Sequence, residues 1–269
     1  IKITDKETEI TSKYALFYEA SNYAYLYDSV KLTNPKNIIL SDTLFYDFTS
    51  KVGKLSGNVL VQTETLEISA PKLIYFNKKN YIEAESSFTL KDKIRNLVIE
   101  GQKAYYDLNL DLGEIKLEPK LYIIRTDTLQ ITSKKMQLNN KAGCFYAYDS
   151  VCVLNSNSTL YCETLAYFIN ENIAQAYGRP QLYDEKNFLK SRIIRFYLAE
   201  TNSNSKEVVR TVEAWDDILV RYITNEQGVV EISGARFVAH YEHGALKEIF
   251  ITAEEEKPVS GEYRTQKEL

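Results

Sequence analysis

Histidine and cysteine are scarce in this chain, and that shortage excludes most metal chemistry. Two histidines and three cysteines occur among 269 residues. Cys144, Cys152 and Cys162 form a Cys-x7-Cys-x9-Cys run with no local histidine, a poor ligand spacing for zinc. His240 and His243 are three apart. On a strand such residues face opposite sides, so joint chelation would need a turn there. No metal and no cofactor are expected. The cysteines are expected as free thiols, or with Cys152 and Cys162 facing outward on neighbouring strands and able to pair in an oxidising compartment. The odd count leaves at least one unpaired in either case.

Charge of one sign is also lacking. The formal net charge is -4, with no basic block or stripe, so no nucleic-acid partner is expected. No apolar run is long enough for a membrane-crossing helix. Five prolines and ten glycines are few for a β-rich chain, which places the turns on Asn, Asp, Ser and Lys. The chain opens at Ile1, and a mature chain or a fragment without its targeting segment is expected. Catalytic signatures are missing too: there is no Gly-x-Ser-x-Gly, no phosphate-cradling glycine loop and no His-Glu-x-x-His. Glu213 with Asp216 and Asp217 is the one carboxylate group that a carbohydrate-active enzyme would use. Asp216 also fits a bend position, the plainer reading.

What the chain has is tyrosine, 21 residues of it, 11 phenylalanines, and a repeat. Segments of similar shape begin at Ile10, Ile39, Ile68, Ile99, Ile131, Tyr161, Leu189 and Ile232. The period is about 30 residues, with one longer gap. Self-similarity at a fixed period is the mark of a repeat architecture. Five residues after each start sit Ala15, Leu44, Leu73, Ala104, Met136, Ala166, Ile194 and Phe237. Seven residues after it sit Phe17, Tyr46, Tyr75, Tyr106, Leu138, Phe168, Phe196 and Ala239. The last two columns have strand spacing, and the odd offset to the first requires a bulge or corner between them.

A second stretch carries alternating pairs: Val30 and Leu32, Val59 and Val61, Phe88 and Leu90, Leu121 and Ile123, Val151 and Val153, Ile218 and Val220, with Leu182 alone in one copy. Before each comes a bend residue: Asp28, Gly57, Ser86, Pro119, Asp149, Gly178 and Asp216. Each copy is therefore two strand stretches and a corner. It buries a face only by stacking on its neighbours. The fold class is all-β, a stack of antiparallel copies of about 30 residues per coil, in one domain over 1–252. A polar insertion lies near 201–206, and a polar, exposed or disordered tail fills 253–269. Tyr23, Tyr25 and Tyr27 alternate and are read as cross-strand packing.

The inward set is the candidate lipid groove: Ile39, Leu44, Tyr46, Ile68, Leu73, Tyr75, Ile99, Ala104 and Tyr106 in the first copies, then Ile131, Met136, Leu138, Phe168, Ile194, Phe196 and Phe237. Large and small side chains mix there. They either complement one another in a closed core or leave an apolar groove, which would suit acyl chains. Exposed strand edges at the two ends of the stack are candidates for pairing with further strands.

The repeat resembles that of the OstA-like family, which includes the periplasmic lipopolysaccharide-transport protein LptA and the N-terminal domain of LptD. The resemblance rests on Ser41-Asp42-Thr43-Leu44-Phe45-Tyr46-Asp47 with Gly53 to Val59, on Ala176-Tyr177-Gly178, and on Ile232 to Ala239 followed by Gly244-Ala245-Leu246-Lys247. It implies a folded-over, jelly-roll-like (β-taco) solenoid whose apolar interior receives lipid A acyl chains. It further implies a periplasmic location, with the alternative of a peripheral position at the outer membrane, end-to-end contact with itself or other transport proteins, and no catalysis. The implied ligand is lipopolysaccharide or another acylated lipid. The alternatives are a structural or adhesive solenoid that assembles through its edges, and the carbohydrate-active enzyme.

Overall fold

The computed structural model describes residues 1–5, 8–35, 37–124, 128–184, 187–198, 209–224, 228–242, 245–254 and 258–264. The expected polar insertion at 201–206 and His243 lie outside them. The described chain is all-β. Its strands are β1 (Lys2–Asp5), β2 (Thr8–Thr11), β3 (Tyr14–Tyr18), β4 (Tyr23–Thr33), β5 (Asn37–Asp47), β6 (Val52–Thr63), β7 (Leu66–Phe76), β8 (Tyr81–Asp92), β9 (Leu97–Asp107), β10 (Leu112–Lys116), β11 (Lys120–Ile123) and β12 (Leu129–Thr132). They continue as β13 (Lys135–Asn139), β14 (Cys144–Leu154), β15 (Ser158–Phe168), β16 (Ile173–Tyr177), β17 (Gln181–Asp184), β18 (Asn187–Lys190), β19 (Ile193–Leu198), β20 (Val209–Ile223), β21 (Val229–Glu242), β22 (Ala245–Thr252) and β23 (Ser260–Arg264). Two compact units result: Ile1–Arg125 with Lys135–Lys141, and Thr126–Lys134 with Ala142–Leu269.

In the first unit β4 to β9 pair antiparallel in chain order, and the register shifts once within each pair. The shifts fall at dipeptides with both φ angles positive: Asp28-Ser29, Gly57-Asn58 and Ser86-Ser87, then Leu117-Glu118 between β10 and β11. The second unit repeats the device at Asp149-Ser150, Gly178-Arg179 and Asp216-Asp217. Two residues opposite one is a bulge, which bends a strand and raises its twist. Six of the seven expected bend residues stand at these corners. At Pro119 the expectation was two residues late: the corner is Leu117-Glu118, and Pro119 is a buried residue following it.

Cross-strand partners share a face, so the register identifies the buried columns. In the first unit one runs Leu32, Ile39, Val61, Ile68, Leu90, Ile99, Leu121. Another runs Leu26, Leu44, Leu55, Leu73, Ala84, Ala104, Ile115, Met136. In the second unit they run Ile131, Val153, Leu160, Leu182, Leu189, Val220, Ile232 and Leu165, Ala176, Ile194, Ala214, Phe237.

The columns correct the expected phase of the sixth copy by one residue. Leu160, Leu165 and Tyr167 point inward, and Tyr161, Ala166 and Phe168 lie on the opposite face. A slip of one residue moves every side chain to the other face. Leu160→Ala should therefore cost about 2–5 kcal/mol of unfolding free energy. Tyr161→Ala, at a position 49% exposed, should cost under ~1 kcal/mol. Paired urea melts decide this, and equal losses would refute the assigned register. The same slip removes the alternative of an outward pairing between Cys152 and Cys162. Cys162 faces in, opposite Val151, and Cys152 faces out, opposite Tyr161. All three cysteines are free thiols.

The expected open, folded-over solenoid is not what the pairings build. In the second unit β15 carries both β16 and β17, and β20 carries both β18 and β19. β16 pairs with β19 and β17 with β18, which closes a six-strand barrel. β14, β21, β22 and β23 attach outside it, β14 to β15, β21 to β20, and the last two to β21. The closure arises because the strands between β15 and β20 break at Gly178-Arg179 and at Ser191-Arg192, while β15 and β20 run through. The stretch 260–264 of the expected tail is exposed as anticipated, but it forms β23.

A column of small residues escaped the sequence reading. Two residues after each inward start come Ser12, Ser41, Ala70 and Gly101 in the first unit, and Ser133, Cys162, Ser191 and Gly234 in the second. Their neighbours across the ladder are large, as in Val30 beside Ser41, Val59 beside Ala70 and Phe88 beside Gly101. A Cβ on Gly101 would lie 2.7 Å from Ile115 and 2.9 Å from Phe88. The buried hydroxyls of Ser12, Ser41 and Ser191 donate to the carbonyls of Tyr14, Thr43 and Ile193 at 3.0, 3.1 and 2.8 Å. Each thereby satisfies a polar group within its own corner.

Candidate ligand site

The apolar columns of the second unit end at β21, and the last two strands leave them partly uncovered. β23 places Gly261 beside Ile232, where earlier rungs place Val or Leu. With no side chain there, the floor of the column stays open. β22 runs along the other half of β21, with Ile251 beside Phe237, Ile249 beside Ala239 and Leu246 beside Tyr241. At Gly234 a Cβ would meet Ile251 at 2.6 Å, so this glycine permits the close approach of β22 to the corner.

Between them lies a cleft of about 500 Å³, lined by Val220, Tyr222, Val230, Ile232, Leu246, Lys247, Glu248, Ile249, Ile251 and Val259. Eight of these ten are apolar or aromatic, and the volume falls in the ordinary range of small-ligand sites. Tyr222, Leu246, Ile249 and Val259 are 40–44% exposed. At the rim Lys247 Nζ pairs with Glu242 at 2.8 Å, while Arg221 and Glu231 pair with each other at 2.6 Å on the opposite face of β20 and β21. The hydrogen bond that Lys247 donates to Glu242 raises the pKa of Lys247, so that ammonium stays charged.

The sixteen groove residues named from the sequence fall into three sets. Leu44, Leu73, Ile99, Ile131, Met136, Ile194 and Phe237 are buried. Ile39, Tyr46, Ile68, Tyr75, Ala104, Tyr106, Leu138 and Phe196 are half-buried on the same inward faces. Phe168 faces the other way, beside Cys144 and Ile173. None of the sixteen lines the terminal cleft. Val220 and Ile232 were read as inward positions, but the cleft itself was missed although the alternation Ile249-Phe250-Ile251 was visible, because that face is accessible only where no strand among the described residues covers it. At the opposite end of the chain, in the first unit, the inward-facing Ile3 and Phe17 are likewise exposed.

Groups with catalytic character are engaged elsewhere. Asp217 sits in a corner and pairs with Arg192 at 2.7 Å. Glu213 lies on the outer face against Arg236 at 3.4 Å and the Tyr197 hydroxyl at 3.1 Å. His240 contacts Thr211 at 3.2 Å. Burial pushes the Cys162 thiol up to about 12 and also raises Cys152, so neither is a ready thiolate. Among the described residues no group of three or more His, Cys, Asp or Glu side chains could hold a metal ion.

No family profile matches the chain, and no curated protein matches it in sequence. Among solved structures it has a weak, partial match to LptH of Pseudomonas aeruginosa, described as the LptA-homologous periplasmic component of the conserved lipopolysaccharide transport device. The identity is 10%, the TM-score 0.19, and the match covers 64% of this chain and 82% of that one.

Proposed function

We propose that the chain is a non-catalytic lipid-binding scaffold that shields acyl chains of lipopolysaccharide, or of another acylated lipid, on its way across the periplasm to the outer membrane. The observation that carries this reading is the apolar cleft between β21, β22 and β23, open at the end of the second unit. The OstA-like character of the repeats supports it independently. Withdrawing about ten methylenes from water into such a site is worth on the order of 8 kcal/mol before ordering costs. The half-buried inward residues Ile39, Tyr46, Ile68, Tyr75, Tyr106, Leu138 and Phe196 extend the lipid-contacting surface within their own units, and the buried ones hold it rigid.

A photoreactive residue at Ile249 should crosslink to lipopolysaccharide. The same residue at Phe250, on the other face of β22 and 50% exposed, should not. Equal labelling from both positions, or none from Ile249, would sink the lipid reading.

A second reading, assembly through strand edges with other transport proteins or with itself, is favoured by β22 and β23, each paired along one side among the described residues. Concentration-dependent self-association that Ile249→Pro abolishes would favour it, since proline removes a ladder donor.

A further inference from the structure

The outer face of the second unit holds a cation without a carboxylate. Gln175, Arg195 and Glu213 stand in one cross-strand row, and Trp215 and Arg236 stand opposite each other in the next. All point away from the buried Ile194 and Ala214. Arg195 faces Glu213 across the ladder but does not pair with it. That carboxylate accepts from Tyr197 and Arg236 instead. Arg195 donates from Nη1 to the Tyr197 hydroxyl at 3.3 Å and from Nη2 to Gln175 Oε1 at 3.4 Å, two long bonds to neutral groups. Its Nε is buried without a partner. The guanidinium carbon lies 5.0 Å from the centroid of the Trp215 ring.

We propose that Arg195 and Arg236, with Gln175 and Tyr197, form a binding site for a phosphate group on this outer face. Two guanidinium groups against one carboxylate leave the cluster with net positive charge. The two neutral partners of Arg195 are held loosely enough to be exchanged for a charge-assisted pair. Arginine's planar fork matches a phosphate oxygen pair, and such bonds are roughly twice as strong as neutral ones. Trp215 fixes the guanidinium by stacking on it. The site stands on the face opposite the apolar columns and does not depend on the lipid cleft.

Trp215 is the only tryptophan in the chain, so its fluorescence reports this site alone. The full chain would be titrated with inorganic phosphate at constant ionic strength. In parallel it would meet phosphatidylcholine vesicles with and without phosphatidic acid. A saturable change in Trp215 emission is expected, weakened at least tenfold by Arg195→Gln and several-fold by Arg236→Gln, and strengthened by Glu213→Gln. Arg195→Lys keeps the charge and loses the fork, and should recover part of the affinity. It also serves if the glutamine variant does not fold. A response to phosphate identifies a soluble phosphate ligand, and a response only to phosphatidic acid vesicles identifies a lipid headgroup. No saturable response to either probe, or curves unchanged in both Arg195 variants, would overturn the proposal. Such a result would leave the crosslinking test at Ile249 untouched.

Discussion

Ile194→Ala is expected to lower the unfolding free energy by about 4–5 kcal/mol, near the upper end for truncation of a buried aliphatic side chain. The reason lies in its neighbours. Ile194 is 0% exposed, and its partners on the two adjacent strands, Ala176 and Ala214, are also 0% exposed. The column runs Leu165, Ala176, Ile194, Ala214, Phe237, so large and small side chains alternate along the ladder. The methyl group of alanine is fixed by the backbone and cannot swing into the space that Ile194 vacates. The cavity therefore stays, and the cost grows with residual cavity volume. Urea melts should show a lower midpoint with an unchanged slope. A loss below ~1 kcal/mol would mean that the strands move together to fill the gap, and that the alternation does not set the packing. The reverse swap, Ala176→Leu, overpacks the same column and should cost about 1–3 kcal/mol.

Replacement of Gly178 comes next in size. Six other corners hold the same left-handed conformation, and four of them begin with Asp28, Ser86, Asp149 or Asp216. Positive φ alone therefore does not demand glycine here, since short polar residues tolerate it. What separates Gly178 from those four is the residue across the corner. A Cβ at position 178 would lie 2.5 Å from the Cβ of Glu163, a contact that rotation of a side chain cannot relieve. Gly57 has the same relation to Asp42, whose carboxylate also accepts from Asn58 at 3.1 Å. Gly178→Ala and Gly178→Asn should both destabilise the protein by about 2–4 kcal/mol, combining backbone strain with overpacking. Asparagine adopts the left-handed region more readily than alanine. If it restored wild-type stability, backbone conformation and not the close approach would be the constraint. Adding Glu163→Gly to either variant should recover part of the loss.

Much of the local structure was legible in the chain itself. The period of about 30 residues, the strand stretches and six of the seven corners follow from the spacing of apolar residues and from Asp, Ser or Gly at the bends. These features depend on a few consecutive residues, where the tolerance of a side chain for positive φ is decided. The corner at Leu117-Glu118 was not legible, because neither residue type favours positive φ, and the adjacent Pro119, a turn residue with φ fixed at a negative value, drew the bend to itself.

The candidate site was less legible. Around Leu160-Tyr161 and Leu165-Ala166-Tyr167-Phe168 both parities are apolar, so nothing local says which one faces inward. Only pairing with β14 and β16 settles it. The column of small residues has the same standing: Ser41 and Gly101 look unremarkable until Val30 and Phe88 are placed beside them. Sequence by itself determined that this chain is all-β, repetitive and cornered at regular intervals, because those properties are local and recur. Tertiary structure alone decided that β15 to β20 close into a barrel, and that Gly261 and the last two strands leave an apolar cleft. Closure and exposure are properties of which distant strands pair, and a strand's sequence does not say whether anything will cover its face.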